Sequence, residues 1–214
     1  MAAEQPDATR NIKTEFDSWT TDQIRMHSIA QSFPYSILAF NIQGNLNIGN
    51  MLRSAHLCGC RKMVLFGRRK YDKRSAVGVY NYLDVERVQG LKNPQQDLTT
   101  ELTDLDFVFD NEVFVKFIIE NNYVPIYVEQ SSDSIPANPA NISKILDSIP
   151  NKKIPIFIFG NEGTGIPANI METRSRFDES FVLELHQSGA LQSYNVSNAC
   201  AIVAYIVSLY FMYK

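Results

Sequence analysis

From residue 35 onward the chain alternates short, uniformly apolar runs with longer amphipathic or polar stretches. Tyr35–Ile42 (YSILAFNI), Arg61–Phe66 (RKMVLF), Tyr82–Val88, Val124–Val128, Ile154–Phe159 (IPIFIF) and Phe181–Leu185 (FVLEL) have the length and makeup of buried strands. Between them the pattern predicts helices from about Asn47 or Ile48, over Asn111–Glu120, over Ile142–Ser148 within the proline-bounded connection Pro136–Pro150, and briefly after Pro167. A long apolar helix follows Asn195. Strands separated by helices predict an α/β fold, a mostly parallel sheet covered by helices on both faces. Residues 1–34 read as an N-terminal extension: Met1–Arg10 as a mobile tail, then a helix over Ser18–Gln31 capped by Thr20 or Thr21 and ended by Phe33-Pro34. Residues 35–214 form the main domain.

The segment Phe181–Ala199 (FVLELHQSGALQSYNVSNA) passes from a buried strand through a polar loop into a capped helix start at Asn195. It is either an ordinary strand–loop–helix connection or a loop whose exposed amides grip a small polar ligand. The apolar segment after it, Ala199–Tyr213, is about fifteen residues, short of the roughly 17–25 that cross a bilayer. A core or subunit-interface helix fits it better than a membrane span.

Composition narrows the class. A chain of 214 residues with 45% hydrophobic and 20% charged residues builds its core without staples. Cys58, Cys60 and Cys200 are too few for a disulfide framework and provide no metal cluster, which favours a reduced, cytoplasmic setting with a nuclear one open. The N-terminus MAAEQPDATR lacks the apolar core of a secretory signal. With a net charge of −3, the molecule as a whole has no pull toward nucleic acid. Seven of the 20 Lys and Arg residues nevertheless fall between Arg61 and Arg74. In that window Arg68, Arg69, Lys70, Lys73 and Arg74 make either a phosphate-backbone contact or a solvated loop, and Tyr71 is placed to stack on a base.

After the run Ile154–Phe159 comes Gly160-Asn161-Glu162-Gly163-Thr164-Gly165, three glycines in six residues. The spacing G-x-x-G-x-G allows a tight turn with amides facing a ligand but is neither a dinucleotide fingerprint nor a phosphate-binding P-loop. Glu162 would repel phosphates and suits a cationic or hydrogen-bond-donating ligand.

Three segments then stand in order: NIGNMLRSA at Asn47–Ala55, IFGNEGTGIP at Ile158–Pro167 and GALQSYNVS at Gly189–Ser197. Together they resemble the three motifs of the SpoU (TrmH) branch of the SPOUT methyltransferases, which methylate ribose 2′-hydroxyls of tRNA or rRNA. The resemblance covers roughly Tyr35–Tyr213, and the large N-terminal part of the eukaryotic tRNA guanosine 2′-O-methyltransferases of this branch has no counterpart here. It implies a C-terminal trefoil knot, S-adenosylmethionine as cofactor, an RNA substrate with tRNA favoured over rRNA, and a homodimer whose active site draws on both subunits. By matching positions it implies Arg53 as the catalytic arginine, with Asn47, Glu162, Ser193 and Asn195 as the other active-site residues. It places the cofactor against Val128, Glu129, Gln130, Gly160, Asn161, Gly163, Gly165, Leu185, Gln187 and Tyr194.

His186 stands where the family usually has proline, Gln187 where it has methionine, and Tyr194 where leucine is common. Proline is also missing from Asn45-Leu46-Asn47. His186 is either a general base or the counterpart of a structural residue. Methyl transfer needs an in-line geometry and removal of the hydroxyl proton. Arg53 either yields a proton to a neighbouring phosphate or orients the hydroxyl while phosphate or water takes it. A non-catalytic RNA-binding relative is the alternative class. The sequence offers no nucleophile–base pair for a hydrolase. Substrate choice falls to the extension, the basic loop or a separate protein partner, and no membrane association is expected.

Overall fold

The computed structural model describes residues 11–41, 46–67, 74–92, 108–161 and 163–214. Seven strands among these residues form one sheet: β1 (Phe33–Asn41), β2 (Cys60–Gly67), β3 (Asp84–Val88), β4 (Tyr123–Val128), β5 (Ile135–Pro136), β6 (Ile154–Phe159) and β7 (Phe181–Glu184). Their order is β3-β2-β1-β6-β4-β7-β5, and every adjacent pair is parallel. The described residues also form six α-helices: α1 (Thr21–Ala30), α2 (Leu46–Leu57), α3 (Asn111–Glu120), α4 (Pro139–Ser148), α5 (Ala168–Glu172) and α6 (Val196–Tyr213).

Strand alternation sorts the core into two layers. Tyr35, Ile37 and Ala39 of β1, Met63 and Leu65 of β2, and Phe157 and Phe159 of β6 meet α2, α4 and α6 on one face. Leu38 and Phe40, Val64 and Phe66, and Ile156 and Ile158 point the other way, onto Phe114, Phe117 and Ile118 of α3 and Ile170 of α5. The apolar runs of the sequence are continuous because both faces of the sheet are covered. The expected fold class is therefore present in sheet and helices.

Capping chemistry decides where the elements differ from expectation. Helix α1 starts at Thr21 and not at Ser18, because Thr20 and Gln23 close a reciprocal capping box. Helix α4 starts at Pro139, three residues before the expected Ile142, with Asn138 accepting from the Asn141 amide at 2.9 Å. β3 begins at Asp84 because Val79–Asn81 forms a 3-10 turn, with Tyr82 at its end. β5 has only two residues, and its pairing with β7 creates it.

Helix α6 has 18 residues, beginning at the cap Asn195, so the apolar segment is longer than its last fifteen residues suggest. By length and composition it is apolar enough to cross a membrane, with a mean hydropathy of 1.6. In the structure it lies against α2 and α4, burying Cys200, Val203, Ala204 and Val207. Its other side leaves Ile202 and Tyr205 exposed. The extension is folded from the 3-10 turn Thr14–Phe16 through α1, and Ile24 anchors it in the core. The expected tail Met1–Arg10 lies outside the described residues.

Candidate active site

β4, β6 and β7 run parallel in the sheet, β6 and β7 flanking β4, so their carboxyl ends lie together, where α/β sheets bind ligands. After β6 the chain folds back on itself: the Asn161 amide donates to the Gly165 carbonyl at 3.0 Å, and the Gly165 amide donates back at 3.1 Å. The Asn161 side-chain oxygen accepts from the amides of Gly163 and Thr164. A Cβ on Gly160 would sit 2.0 Å from the Gly165 carbonyl carbon, and Gly165 itself has φ +67°. Only glycine fits either position.

Side chains from the neighbouring strand ends tie the turn down. Glu129, just past β4, accepts from the Ile166 amide at 2.9 Å and from the Gln130 amide at 3.0 Å. Gln130 donates to the Gln192 carbonyl at 2.7 Å, and the Tyr194 hydroxyl donates to the His186 carbonyl at 3.2 Å. Three loops are thus held around a cleft of about 640 Å³.

All ten positions expected to hold the cofactor border that cleft: Val128, Glu129, Gln130, Gly160, Asn161, Gly163, Gly165, Leu185, Gln187 and Tyr194. Ser193 borders it too. Sequence reasoning did not single out Phe159, Thr164, Ile166, Glu184, Gln192, Val196 and Ala199. All seven adjoin or closely follow expected positions, so widening each motif by a few residues finds them. Among the described lining residues there is no Lys, Arg or His, while Glu129 and Glu184 bring carboxylates. The cleft therefore favours a cationic ligand over a phosphate.

The structure brings Asn47 and Asn195 together, 148 positions apart in sequence: the Asn195 side-chain amide donates to the Asn47 side-chain oxygen at 3.1 Å. Asn195 also caps α6 by accepting from the Ser197 amide at 2.9 Å. One residue thus joins the start of α6, at the edge of the cleft, to the start of α2. His186 is exposed, with Nε2 3.0 Å from the Ser188 hydroxyl, and does not border the cleft.

Arg53 does not border the cleft either. It is exposed on α2 and lines a second cavity of about 330 Å³, between the extension, α2 and residues 76–82. Phe16, His56, Val77, Val79 and Tyr82 form much of that wall. The segment leading to it crosses α2 at Gly49, where an added Cβ would meet the Ser75 hydroxyl at 2.1 Å, so the expected close backbone approach is present. Burial lowers the pKa of His56 below the ordinary histidine value. Arg74 opens a 3-10 turn and is exposed. Glu162, Arg68, Arg69, Lys70 and Lys73 lie outside the described residues. Among the described residues no group of three His, Cys, Asp or Glu side chains is placed to hold a metal ion. Cys58, Cys60 and Cys200 are free thiols whose pKa burial raises, that of Cys60 to about 12.

Comparison with known proteins agrees with this layout. The model of the SpoU rRNA Methylase family matches residues 34–205. Among solved structures the chain is similar to the TrmH/SpoU tRNA modifying enzyme of A. aeolicus, with 16% identity and a TM-score of 0.63 over 91% of this chain and 83% of that one. It is also similar to the SpoU methyltransferase AviRb of Streptomyces viridochromogenes in complex with AdoMet (18% identity, TM-score 0.53, 85% of this chain). A third is an RNA 2′-O ribose methyltransferase (16% identity, TM-score 0.58, 85% of this chain). The chain spans 58% of each of the latter two. A search of curated proteins finds no match.

Proposed function

The chain belongs to the SpoU rRNA methylase family, and from that premise we propose that it transfers a methyl group from S-adenosylmethionine to a ribose 2′-hydroxyl in RNA, with tRNA favoured over rRNA. The observation that carries this reading is the cleft of about 640 Å³ at the ends of β4, β6 and β7, which Glu129 and Glu184 make acidic. Its size suits a nucleoside-sized ligand. Its carboxylates suit a sulfonium and an amino group. Its glycine cradle allows the chain to approach a ligand closely at Gly160 and Gly165. Residues 160, 161, 163–166, 187 and 192–194, with apolar Val128, Leu185 and Val196, would hold the cofactor. Bound there, it supplies an electrophilic methyl group on sulfur.

The remaining work belongs to the chain's own residues. Arg53 orients the 2′-hydroxyl as a donor, since a guanidinium stays protonated and is a poor base. The hydroxyl proton leaves to an RNA phosphate oxygen or to water as the new O–C bond forms and the S–C bond breaks. Asn47 and Asn195 hold the start of α2 against the cleft through their mutual hydrogen bond. Ser193 and Glu162 complete the set that faces the ribose. Because Arg53 and the cleft are apart within one chain, the working enzyme is a homodimer in which Arg53 of one copy meets the cleft of the other. The exposed apolar flank of α6, with Tyr205 at 59% exposure, is the kind of surface a second copy covers. A knotted C-terminal connection belongs to the same proposal, and the position of β7 between the earlier strands β4 and β5 is compatible with it. Arg68, Arg69, Lys70, Lys73 and Arg74 are the phosphate contacts of the RNA. The setting is cytoplasmic or nuclear, and a separate protein partner for substrate choice is compatible with the small extension.

The test pairs calorimetry with S-adenosylmethionine and transfer of labelled methyl to tRNA and rRNA, followed by mapping of ribose methylation. Saturable binding and label at a 2′-oxygen are expected. A chain that ignores the donor overturns the proposal, and label on a base corrects the acceptor.

A further inference from the structure

The cavity beside Arg53 is separate from the donor cleft and has the opposite chemistry. Its walls come from three places: the turn Asn11–Phe16 and α1 of the extension, α2, and residues 76–82. Rings of Phe16, His56 and Tyr82 face a space of about 330 Å³ whose remaining walls include the apolar Val77 and Val79. His56 and Tyr82 lie 6.2 Å apart between ring centroids. Arg53 and Lys13 bring cationic groups, and the described lining contains no carboxylate. Val77 holds φ +49°, a left-handed conformation that a β-branched residue rarely adopts. Such strain persists where surrounding structure imposes it and gathers at ligand sites.

Aromatic walls with a guanidinium at one side are what a nucleotide needs: a planar ring to stack and a phosphate to neutralise. We propose that this cavity receives the base of a nucleotide next to the methylated ribose, so that the extension reads the RNA at the arginine that handles the hydroxyl. This rests on Arg53 being the residue that meets the substrate ribose. Phe16 stacks on the base, Tyr82 and His56 close the other walls, and Arg53 holds the adjoining phosphate. Phe16 is thereby a specificity residue contributed by the extension.

The chain carries its own reporter. Trp19 is the single tryptophan, and its ring centroid lies 5.1 Å from that of Phe16. The four ribonucleoside 5′-monophosphates are titrated into the full chain while its fluorescence is followed, with S-adenosylhomocysteine present at saturation to keep them out of the donor cleft. One or two of the four are expected to give a saturable change, and ribose 5-phosphate none. Phe16→Ala should weaken that response about tenfold, the size of one lost stacking contact. Ser28→Phe, which fills the cavity from α1, should abolish it while leaving the thermal melt of the chain near its original value. An equal response to ribose 5-phosphate would mean a phosphate site without a base pocket and overturn the proposal. So would a nucleotide response that both variants retain, or the lack of any response. Unmodified tRNA transcript distinguishes the source of the nucleotide: displacement of the monophosphate assigns the pocket to RNA, whereas simultaneous binding makes it an effector site and overturns the RNA assignment. None of these readouts requires methyl transfer, so an inactive donor cleft and an empty base pocket are told apart.

Discussion

The cleft at the ends of β4, β6 and β7 is lined by residues between 128 and 199, among them the glycine turn, and carries the carboxylates of Glu129 and Glu184. The cavity over α2 is lined by residues between 11 and 82, with Phe16, His56 and Tyr82 among them, and carries Arg53 and Lys13. A cationic donor and an anionic acceptor strand call for sites of opposite sign, and this chain keeps the two apart. Opposite charges placed side by side would neutralise one another before either ligand arrived. In the proposed reaction the two sites meet, and a second copy of the chain is what the proposal uses to bring them together.

Arg53→Ala is the severest test of that division of labour. Transfer to RNA should fall by at least about a hundredfold in kcat, as when a group that positions a reacting hydroxyl is lost. Calorimetric affinity for S-adenosylmethionine should stay near its original value, because Arg53 does not border the donor cleft. A variant that loses both functions would show that the two sites are one. A variant that keeps transfer would remove Arg53 from the chemistry.

Gly160→Ala attacks the other side. The new methyl would lie 2.0 Å from the Gly165 carbonyl carbon and 2.2 Å from the Ile166 nitrogen, both backbone atoms with little room to yield. A loss of about 1–3 kcal/mol in stability is expected from such overpacking, visible as roughly 2–4 °C in Tm per kcal/mol. Donor affinity should drop at least about tenfold, while the nucleotide response of Trp19 persists. If that response vanished as well, the cavity over α2 would depend on the glycine turn, and the comparison above would fail.

Asn195→Ala probes a bond that ties the start of α6 to the start of α2. Removing it takes away the cap of α6 and the contact to Asn47 together. Loss of a cap costs about 1 kcal/mol, or a Tm lower by roughly 2–4 °C. Asn47→Ala alone should cost less, and the double variant should fall short of the sum, since the two share an interaction. Strict additivity in thermal melts would mean that the hydrogen bond contributes nothing.

These two regions also differ in how far the sequence disclosed them. The donor cleft depends on backbone geometry, and backbone geometry writes itself into residue types: Gly160 and Gly165 where a Cβ has no space, Asn195 where a helix must be capped. The apolar runs disclosed the parallel sheet for a similar reason, since both of its faces are buried. The cavity over α2 left no such trace. Phe16, Val77 and Tyr82 share no spacing, and each reads by itself as an ordinary core or surface residue. Val77 adopts a left-handed backbone that its own residue type does not signal, although Gly78 beside it shares it. Arg53 was found through its motif, yet its distance from the cleft is a tertiary property that no motif encodes. β5 escaped notice because two residues carry no period, and its neighbour β7 supplies the reason it is a strand.

The mildest test concerns pH and discriminates between the regions by the groups that titrate in them. Burial favours the neutral form of His56, so its pKa in the folded chain lies below the ordinary value of 6.5. The unfolded chain takes up that proton near the ordinary value, and the folded chain does so only at lower pH. Stability from this source is therefore complete above about pH 6.5 and is lost as pH falls from there toward the folded value. His56→Gln removes the titration and keeps a polar side chain against Tyr82. Comparing thermal melts at about pH 7.5 and about pH 5.5, the variant should lose less Tm on acidification than the parent chain. The donor cleft has no histidine among its described lining residues, so S-adenosylmethionine affinity should respond to this pH change equally in the two proteins. A difference in donor affinity would reveal a coupling between the sites that neither the bond between Asn47 and Asn195 nor the sheet beneath them accounts for.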